Sequence, residues 1–224
     1  MKNKERKQRE KKIRKQQILD AAEDVIFSKG IDQATMDEIA ELAELSKGTL
    51  YLYFKNKSDL YLAVSLRGSD KLHKKFADVL TSDLTGMEML QKMGTEYIDF
   101  VKNNPGYYNS FVYFETLCST GQLTESRLAD DCERSMEEGF RYMTRALQIG
   151  MQDGTIDDHF DPGQLAIQIW GSVRGLIQLC HMERSGFPVS ILENVDMELE
   201  SIVGHFIQLF LRGIKPESDK VPTD

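Results

Sequence analysis

The sequence has few cysteines and few prolines, and each shortage excludes a class of protein. Its three cysteines, Cys118, Cys132 and Cys180, are widely spaced and form no Cys-x-x-Cys pair, which excludes a disulfide framework. We interpret them as buried small apolar residues. Five prolines among 224 residues exclude a collagenous chain, and 41% hydrophobic with 29% charged residues predicts a folded globular protein.

No segment is apolar enough to suggest a membrane span. The longest apolar-looking stretch, Leu165 to Cys180, is interrupted by Gln168 and Arg174 among others. The first 15 residues carry nine cations and lack the apolar run of a secretory signal. The sequence therefore predicts a soluble, cytoplasmic protein without a membrane partner.

The charge is distributed unevenly along the chain. Residues 1–67 contain 14 Lys/Arg against 11 Asp/Glu, a net charge of +3. Because the whole chain has a net charge of −8, the remaining residues carry −11. Residues 1–15 alone carry +7, from nine cations and two glutamates. This asymmetry indicates a polyanion partner for one end of the chain, and a solvated, frayed tail is the alternative interpretation.

Apolar spacing predicts helices throughout the chain and no β-strand. The first helix begins at Ile13 and ends at Gly30. Thr35 and Glu38 form a capping-box pair that predicts the start of a second helix. Ser46 offers an N-cap for a third helix of only about two turns.

Six further helices are predicted after the short third one. Asn56 and Asp59 can cap a fourth helix that reaches about residue 80, and Thr85 can cap a fifth that ends before Asn104. The remaining helices are predicted at 107–118, 124–152, 161–185 and 195–212. The chain is therefore expected to be all-α, with about nine helices.

Residues 35–54 have the layout of a helix-turn-helix unit, whose second helix can enter the major groove of DNA. Only Leu50 and Phe54 are expected to face inward, so most of the surface of this helix must face something else. Lys47 can donate to guanine O6 and N7, and Gly48 allows a close approach. Plain packing of the helix against a neighbour is the alternative.

Residues around the end of this helix favour phosphate contacts. Tyr51 and Tyr53 carry hydroxyl groups suited to phosphate oxygens. Lys57 stands at a helix N-terminus, where unpaired N–H groups and the helix dipole favour an anion. These side chains predict a clamp on the DNA backbone around the reading helix.

The segment Ile18 to Val64, with SKGTLYLYFKNKSDL at 46–60, resembles the DNA-binding domain of TetR-family transcriptional regulators. Asp37 departs from the pattern, because a carboxylate near phosphate is repulsive unless it caps the helix or contacts a cytosine amino group. With Gly48 added from the spacing argument, the residues that the resemblance places on DNA are Thr35, Met36, Ser46, Lys47, Gly48, Thr49, Tyr51, Tyr53 and Lys57.

The resemblance also implies a division of the chain. A basic arm at 1–12 precedes the helix-turn-helix domain at 13–67, and a helical ligand-binding and dimerisation domain at 68–215 precedes a polar tail at 216–224. Members of the family form homodimers through their last two helices, here 161–185 and 195–212, and packing within one protomer is the alternative. The implied interface residues are Leu165, Gly171, Ser172, Gly175, Leu176, Leu179, Ile202, Phe206, Leu209 and Phe210.

A family member would hold its inducer among the helices of the larger domain, where this sequence has an aromatic cluster. Ordinary aromatic core is the alternative for each of these side chains. The candidate ligand-binding residues are Phe100, Tyr107, Tyr108, Phe111, Phe114, Met143 and Trp170.

The function implied is a ligand-responsive repressor. It would bind double-stranded DNA at a palindromic operator as a homodimer and be released by an unknown small-molecule inducer. A nucleoid-associated or cell-division factor of the same fold, acting at dispersed DNA sites, is the alternative. The sequence has no G-x-S-x-G elbow, no phosphate-binding loop and no histidines at metal-ligand spacing, so neither an enzyme nor a cofactor or metal is expected.

Overall fold

The computed structural model describes residues 2–184 and 195–216, and within these residues it contains nine α-helices and no β-strand. The predicted all-α class is therefore confirmed. Residue 185 of the predicted helix 161–185 and the tail after residue 216 lie outside the described residues. The helices are α1 (Lys2–Gln33), α2 (Met36–Leu42), α3 (Lys47–Tyr51), α4 (Lys57–Leu80), α5 (Gly86–Asn103), α6 (Pro105–Ser119), α7 (Arg127–Gln152), α8 (Pro162–Arg184) and α9 (Leu199–Gly213).

Helix α1 is longer than the apolar pattern predicts. It starts at Lys2 rather than Ile13, because residues 2–12 consist of Lys, Arg, Gln, Glu and one Asn, most of which favour helix without any packing. Arg6 and Glu10 add an ion pair one turn apart, at 3.4 Å. The continuous helix ends at Gly30, whose φ of 79° suits a residue without Cβ.

The short helices α2 and α3 are fixed by the predicted caps. The Thr35 hydroxyl accepts from the Glu38 amide at 3.2 Å, and the Glu38 carboxylate accepts from the Thr35 amide at 3.1 Å. The Ser46 hydroxyl accepts from the Thr49 amide at 3.1 Å, which starts α3. Because these bonds satisfy backbone donors locally, they could be predicted from residue type and spacing alone.

The chain folds into two compact units. The first comprises the residues up to Asp70 together with Asn104–Ser135, and the second comprises Lys71–Asn103 together with the described residues from Met136 onward. The sequence-based boundary at 67/68 assigns α6 and the start of α7 to the later domain, whereas their contacts cluster with α1 to α3. Long-range packing of this kind leaves no periodic signal in the sequence.

In the first unit, the start of α6 packs tightly against α1 and α4. A Cβ at Gly106 would lie 2.3 Å from Phe27, and a Cβ at Gly68 would lie 2.8 Å from Tyr107. The core beneath α2 and α3 contains buried residues from α1, α2, α3, α4 and the α3–α4 turn, namely Ile18, Ala22, Val25, Ile39, Leu50, Phe54, Leu60 and Val64. This core holds the short helices in place.

In the second unit, α5, α7, α8 and α9 enclose a separate apolar core with the end of α4. The start of α5 lies against the backbone of α7, because a Cβ at Gly86 would lie 2.0 Å from the Gly150 nitrogen. Asp153 accepts from the Gly86 amide at 2.7 Å and so caps this junction. Bulky substitution at Gly86 would therefore separate the two helices.

Candidate nucleic-acid interface

Helix α3 is anchored through one face and displays the other. Leu50 and, just after the helix, Phe54 are buried in the first unit's core. Leu52 is 82% exposed, the largest exposure of any large hydrophobic side chain in the described part of the chain, and Tyr51 is also exposed. A Cβ at Gly48 would meet only the Ser46 hydroxyl, at 4.0 Å. The outer face of α3 is therefore open to a partner.

All nine predicted DNA-facing residues reach the surface of the first unit. Four of them, Met36, Thr49, Tyr53 and Lys57, are half-buried. The other five, Thr35, Ser46, Lys47, Gly48 and Tyr51, are exposed. The structure thus gathers them on α2, α3 and the start of α4, and their contact with DNA stays a prediction.

Lys47, at the start of α3, forms an ion pair with Asp37 on α2. Its ammonium lies 2.7 Å from the Asp37 carboxylate, and both side chains are exposed. The hydrogen bond to Asp37 raises the pKa of Lys47. Because exposed pairs contribute little to stability, about 0–1 kcal/mol, another anion can replace the carboxylate. Asp37, which departs from the family pattern, is therefore paired with the lysine that is expected to contact DNA bases.

Lys57 begins α4 and contacts the last turn of α1, after Gly30. Its ammonium donates to the Asp32 carbonyl oxygen at 3.1 Å. The helix itself is capped by Asn56, whose side-chain oxygen accepts from the Asp59 amide at 2.8 Å. The Asp59 carboxylate in turn accepts from the Lys55 amide at 3.1 Å. Lys57 therefore has a structural contact in addition to its expected role on phosphate.

A polar cluster that sequence reasoning missed joins α1, α4 and α6 in the first unit. Arg67 pairs with Glu23 at 2.9 Å and with Asp20 at 2.6 Å. The Tyr107 hydroxyl donates to Glu23 at 2.7 Å. Burial is the larger cause of the raised pKa of Tyr107, and this hydrogen bond is the second. Asp20 and Glu23 lie three residues apart on α1, which is the only sequence signal, and nothing in the sequence identifies their partners.

The seven predicted ligand-binding residues fall in different units. In the first unit, the Tyr107 ring meets Phe27 edge-on with ring centroids 5.1 Å apart, and Phe114 is buried beside Leu62. Tyr108 is also buried there, and Phe111 is half-buried.

The other three lie in the second unit. Phe100 is buried, and Met143 packs against the unit's core. The Trp170 ring meets Phe140 edge-on at 5.5 Å. Their role as one ligand lining stays a prediction.

The predicted interface residues of α8 do not share one environment. Gly171, Gly175 and Leu179 are exposed, and a Cβ at either glycine would meet no atom within 4 Å. Ser172 and Leu176 are half-buried. Leu165 instead lies in the core of its own protomer, because its position falls on the inner face of α8.

Helix α9 presents a continuous apolar face. Leu209 is 68% exposed, and Ile202, Phe206 and Phe210 are half-buried. On α8, Ile167 is 61% exposed and one turn before Gly171, so it extends the open face and was missed by the sequence analysis. Ile167 lies four residues before Gly171, and this helical spacing was the sequence signal that could have placed it on the same face.

None of the helices in the described residues is long and apolar enough to cross a membrane. Asp157, Asp158 and His159 bring ligand atoms within 4.8 Å of one another at a largely exposed turn. Exposed carboxylates of this kind are common without an ion, and no second feature there points to a metal.

Comparison with known proteins identifies the N-terminal unit. The family profile for bacterial regulatory proteins, tetR family, matches residues 18–64. The transcriptional activator FasR of Mycolicibacterium smegmatis is 35% identical over 95 residues, which are 42% of this chain and 43% of that protein. The fatty acid metabolism regulator protein of Bacillus subtilis is 22% identical over 191 residues, 85% of this chain and 95% of that one.

Solved structures share the fold of the whole chain. FadR from Bacillus subtilis, in complex with stearoyl-CoA, has a TM-score of 0.68 at 21% identity and covers 89% of this chain and 98% of that chain. This chain therefore has a fold similar to that of FadR. The match to the tetR family profile spans residues 18–64, the segment on which the predicted resemblance was based. These relatives are regulators, in agreement with the expectation that the chain is not an enzyme.

Proposed function

We propose that the protein is a ligand-responsive repressor that binds a palindromic operator as a homodimer. The exposed outer face of α3 carries this proposal. Only Leu50 and the following Phe54 point inward, so α3 contributes little to the core of its own unit. The apolar side chain of Leu52 is exposed, and no contact within the described part of the unit explains its position. The major groove admits one α-helix, and thymine methyl groups supply apolar contacts for a side chain such as Leu52.

The open faces of α8 and α9 support the proposed dimer. Ile167, Gly171 and Gly175 on α8 and Leu209 on α9 lie outside the protomer's core. An isologous dimer through these faces would relate two copies of α3 by a two-fold axis. A spacing of about 34–36 Å between the two helices would match successive major grooves and require a palindromic site.

The inducer that we propose is a long-chain fatty acyl-CoA. The fatty acid metabolism regulator protein of Bacillus subtilis aligns with 85% of this chain, and the related FadR structure contains stearoyl-CoA. The core of the second unit supports this class, because five of the ten methionines lie in it or against it. Methionine side chains are unbranched and adaptable, and they can repack around an acyl chain.

Release from DNA requires the ligand to bind the DNA-free conformation more tightly. An effector shifts an equilibrium only by its differential affinity for the two states. A coupling of about 1–3 kcal/mol corresponds to a 5- to 150-fold change in operator affinity. By linkage, operator DNA weakens acyl-CoA binding by the same factor.

The experiment begins with selection of bound fragments from random duplexes, which is expected to yield one palindrome. Stearoyl-CoA is then titrated into the complex with the selected duplex, with coenzyme A and stearate as separate controls. Release by stearoyl-CoA alone supports the proposal. Release by none of the three contradicts the ligand class, and recovery of many unrelated sites favours a nucleoid-associated or cell-division factor.

The direction of regulation is tested by transcription in vitro. A promoter carrying the selected palindrome is transcribed with and without the protein. Less transcript with the protein, restored by stearoyl-CoA, is expected for a repressor. More transcript with the protein would contradict repression.

A further inference from the structure

We propose that the N-terminal extension of α1 is a second DNA-binding element, which contacts phosphates beside the site read by α3. This inference rests on the proposed function and adds a surface to it. Every residue from Lys4 to Gln17 is exposed, yet the extension is a continuous part of α1. At 1.5 Å per residue, residues 4–15 project about 18 Å from the packed part of the helix.

The helix-turn-helix segment itself is short of positive charge. Residues 16–67 contain five Lys/Arg against nine Asp/Glu, a balance of −4. Three of these five cations pair with carboxylates of the same segment: Lys29 with Glu38, Lys47 with Asp37, and Arg67 with Asp20 and Glu23. Because phosphate neutralisation supplies much of the affinity for DNA, an acidic reading segment needs cations from elsewhere.

The extension supplies those cations on one face. Residues three or four apart lie on the same side of a helix, and Lys4, Lys7, Lys11, Arg14 and Lys15 follow that spacing. Glu5 lies off this face, and Glu10, at its edge, pairs with Arg6, which lies outside the face. The five cations therefore form a stripe, which we call the basic face, and none of them forms an ion pair with a carboxylate of the described residues.

The basic face points toward the side of α1 on which the reading unit packs. Continuing the same spacing leads from Lys15 to Ile18, Ala22 and Val25, which are buried against the helix-turn-helix core. The Lys15 ammonium lies 5.8 Å from the centroid of the Phe54 ring, just after α3. The basic face therefore lies on the same side of α1 as the residues that pack against the helix-turn-helix core.

The chemistry of the extension selects nucleic acid over a lipid surface. Helices that lie on membranes carry an apolar face opposite the basic one. Residues 4–15 include a single apolar side chain, Ile13, which is 52% exposed. A basic helix without an apolar face suits the phosphate backbone of DNA, because phosphate contacts require no apolar surface.

Two variants of equal charge test the inference. One, Lys4→Gln/Lys7→Gln/Lys11→Gln, removes three cations from the basic face. The other, Arg6→Gln/Arg9→Gln/Lys12→Gln, removes three cations from the remaining surface of the same segment. Glutamine favours helix about as well as lysine and arginine, so α1 is expected to persist in both, which circular dichroism checks.

The measurement is the dependence of DNA affinity on salt, for mixed-sequence duplex DNA and for the selected palindrome. Each lost phosphate contact lowers the log–log slope by about 0.9, so the basic-face variant should lose up to about 2.7 for each bound protomer while the control variant loses much less. Preference for the palindrome over mixed sequence should persist in both. Equal slopes for the two variants would overturn the inference.

The remaining outcomes separate this inference from the proposed function. If the wild type binds no duplex at low salt, both fail. If the wild type binds the palindrome and the basic-face variant matches it, only the inference fails. Vesicles containing phosphatidylserine serve as the lipid probe, and wild-type binding to them without a DNA defect in the basic-face variant would reassign the extension to membranes.

Discussion

At the residue scale, the reading surface depends on which side chains are held by the protein and which remain available. Lys47 is held by Asp37, and Lys57 by the Asp32 carbonyl oxygen, while Leu52 and Tyr51 are displayed. The ion pair between Lys47 and Asp37 joins α2 to α3 at the proposed DNA surface. If Lys47 contacts DNA as predicted, Asp37 competes with phosphate or guanine for the same ammonium group.

Asp37→Asn is expected to raise affinity for DNA. The variant removes a like charge near phosphate and frees Lys47, and an exposed pair of about 0.2–1 kcal/mol corresponds to a gain of up to about fivefold. If Lys47 then neutralises a phosphate, the salt slope steepens by about 0.9. Fluorescence anisotropy with the selected duplex measures both quantities.

Glu41→Gln is the matched control, because it removes an exposed charge elsewhere on α2. A smaller gain is expected from it than from Asp37→Asn. Weaker binding of Asp37→Asn would contradict this account and indicate that Asp37 itself contacts a base, such as the amino group of cytosine.

At the scale of secondary-structure elements, features that depend on residues near one another in sequence were predicted, whereas contacts between distant residues were not. The capping box of Thr35 and Glu38, the Ser46 cap and the position of α4 are confirmed because each depends on neighbours in sequence. The early start of α1 was missed because an exposed helix of Lys, Arg and Glu carries no apolar period.

The candidate site shows the same limit. The open face of α3 followed from its short length and its two anchors. The bond from Tyr107 to Glu23 was not predictable, because 84 residues separate the partners. Tyr107 was therefore assigned to a ligand lining, whereas in the structure it fastens α6 to α1 within the first unit. Its contact with a ligand stays a prediction.

Tyr107→Phe is expected to destabilise the protein. Glu23 is only 16% exposed, and the variant removes one of the two partners of its Oε1 atom while Arg67 remains; a hydrogen bond to a charged group contributes about 1.5–3 kcal/mol. Tyr142→Phe is the matched control, since it removes a 3.0 Å bond to Glu138, a residue that is 46% exposed. Chemical denaturation compares the two free energies of unfolding, and an equal loss in both variants would refute the structural role of Tyr107.

At the scale of the whole molecule, the proposed function requires two copies of the chain. The open faces of α8 and α9, which include the exposed residues Ile167, Leu179 and Leu209, are the proposed dimer interface. Gly171 and Gly175 leave the α8 backbone uncovered, which permits a partner helix to approach closely.

Gly175→Leu is expected to weaken the dimer without harming the protomer. A Cβ at this position meets no atom within 4 Å, so the side chain points into open space unless a partner is present. Overpacking an interface costs about 1–3 kcal/mol, which raises the dimer dissociation constant about 5- to 150-fold. Sedimentation velocity at several concentrations measures that constant.

Gly204→Leu is the control for this variant. It also places a Cβ in open space, but on the side of α9 opposite Leu209. It should leave the dissociation constant unchanged. If the two variants dissociate equally, or if Gly175→Leu remains as dimeric as the wild type, the faces of α8 and α9 are not the interface.

The affinity of Leu52→Glu for the selected palindrome tests most directly whether α3 reads DNA. Leu52 makes little contact with its own protomer, so the variant should fold normally, while a carboxylate facing phosphates costs several kcal/mol and should lower affinity by more than about a hundredfold. Met136→Glu, an exposed hydrophobic on α7, should bind as the wild type does. Operator binding by Leu52→Glu at wild-type strength would contradict the assignment of α3 as the reading helix.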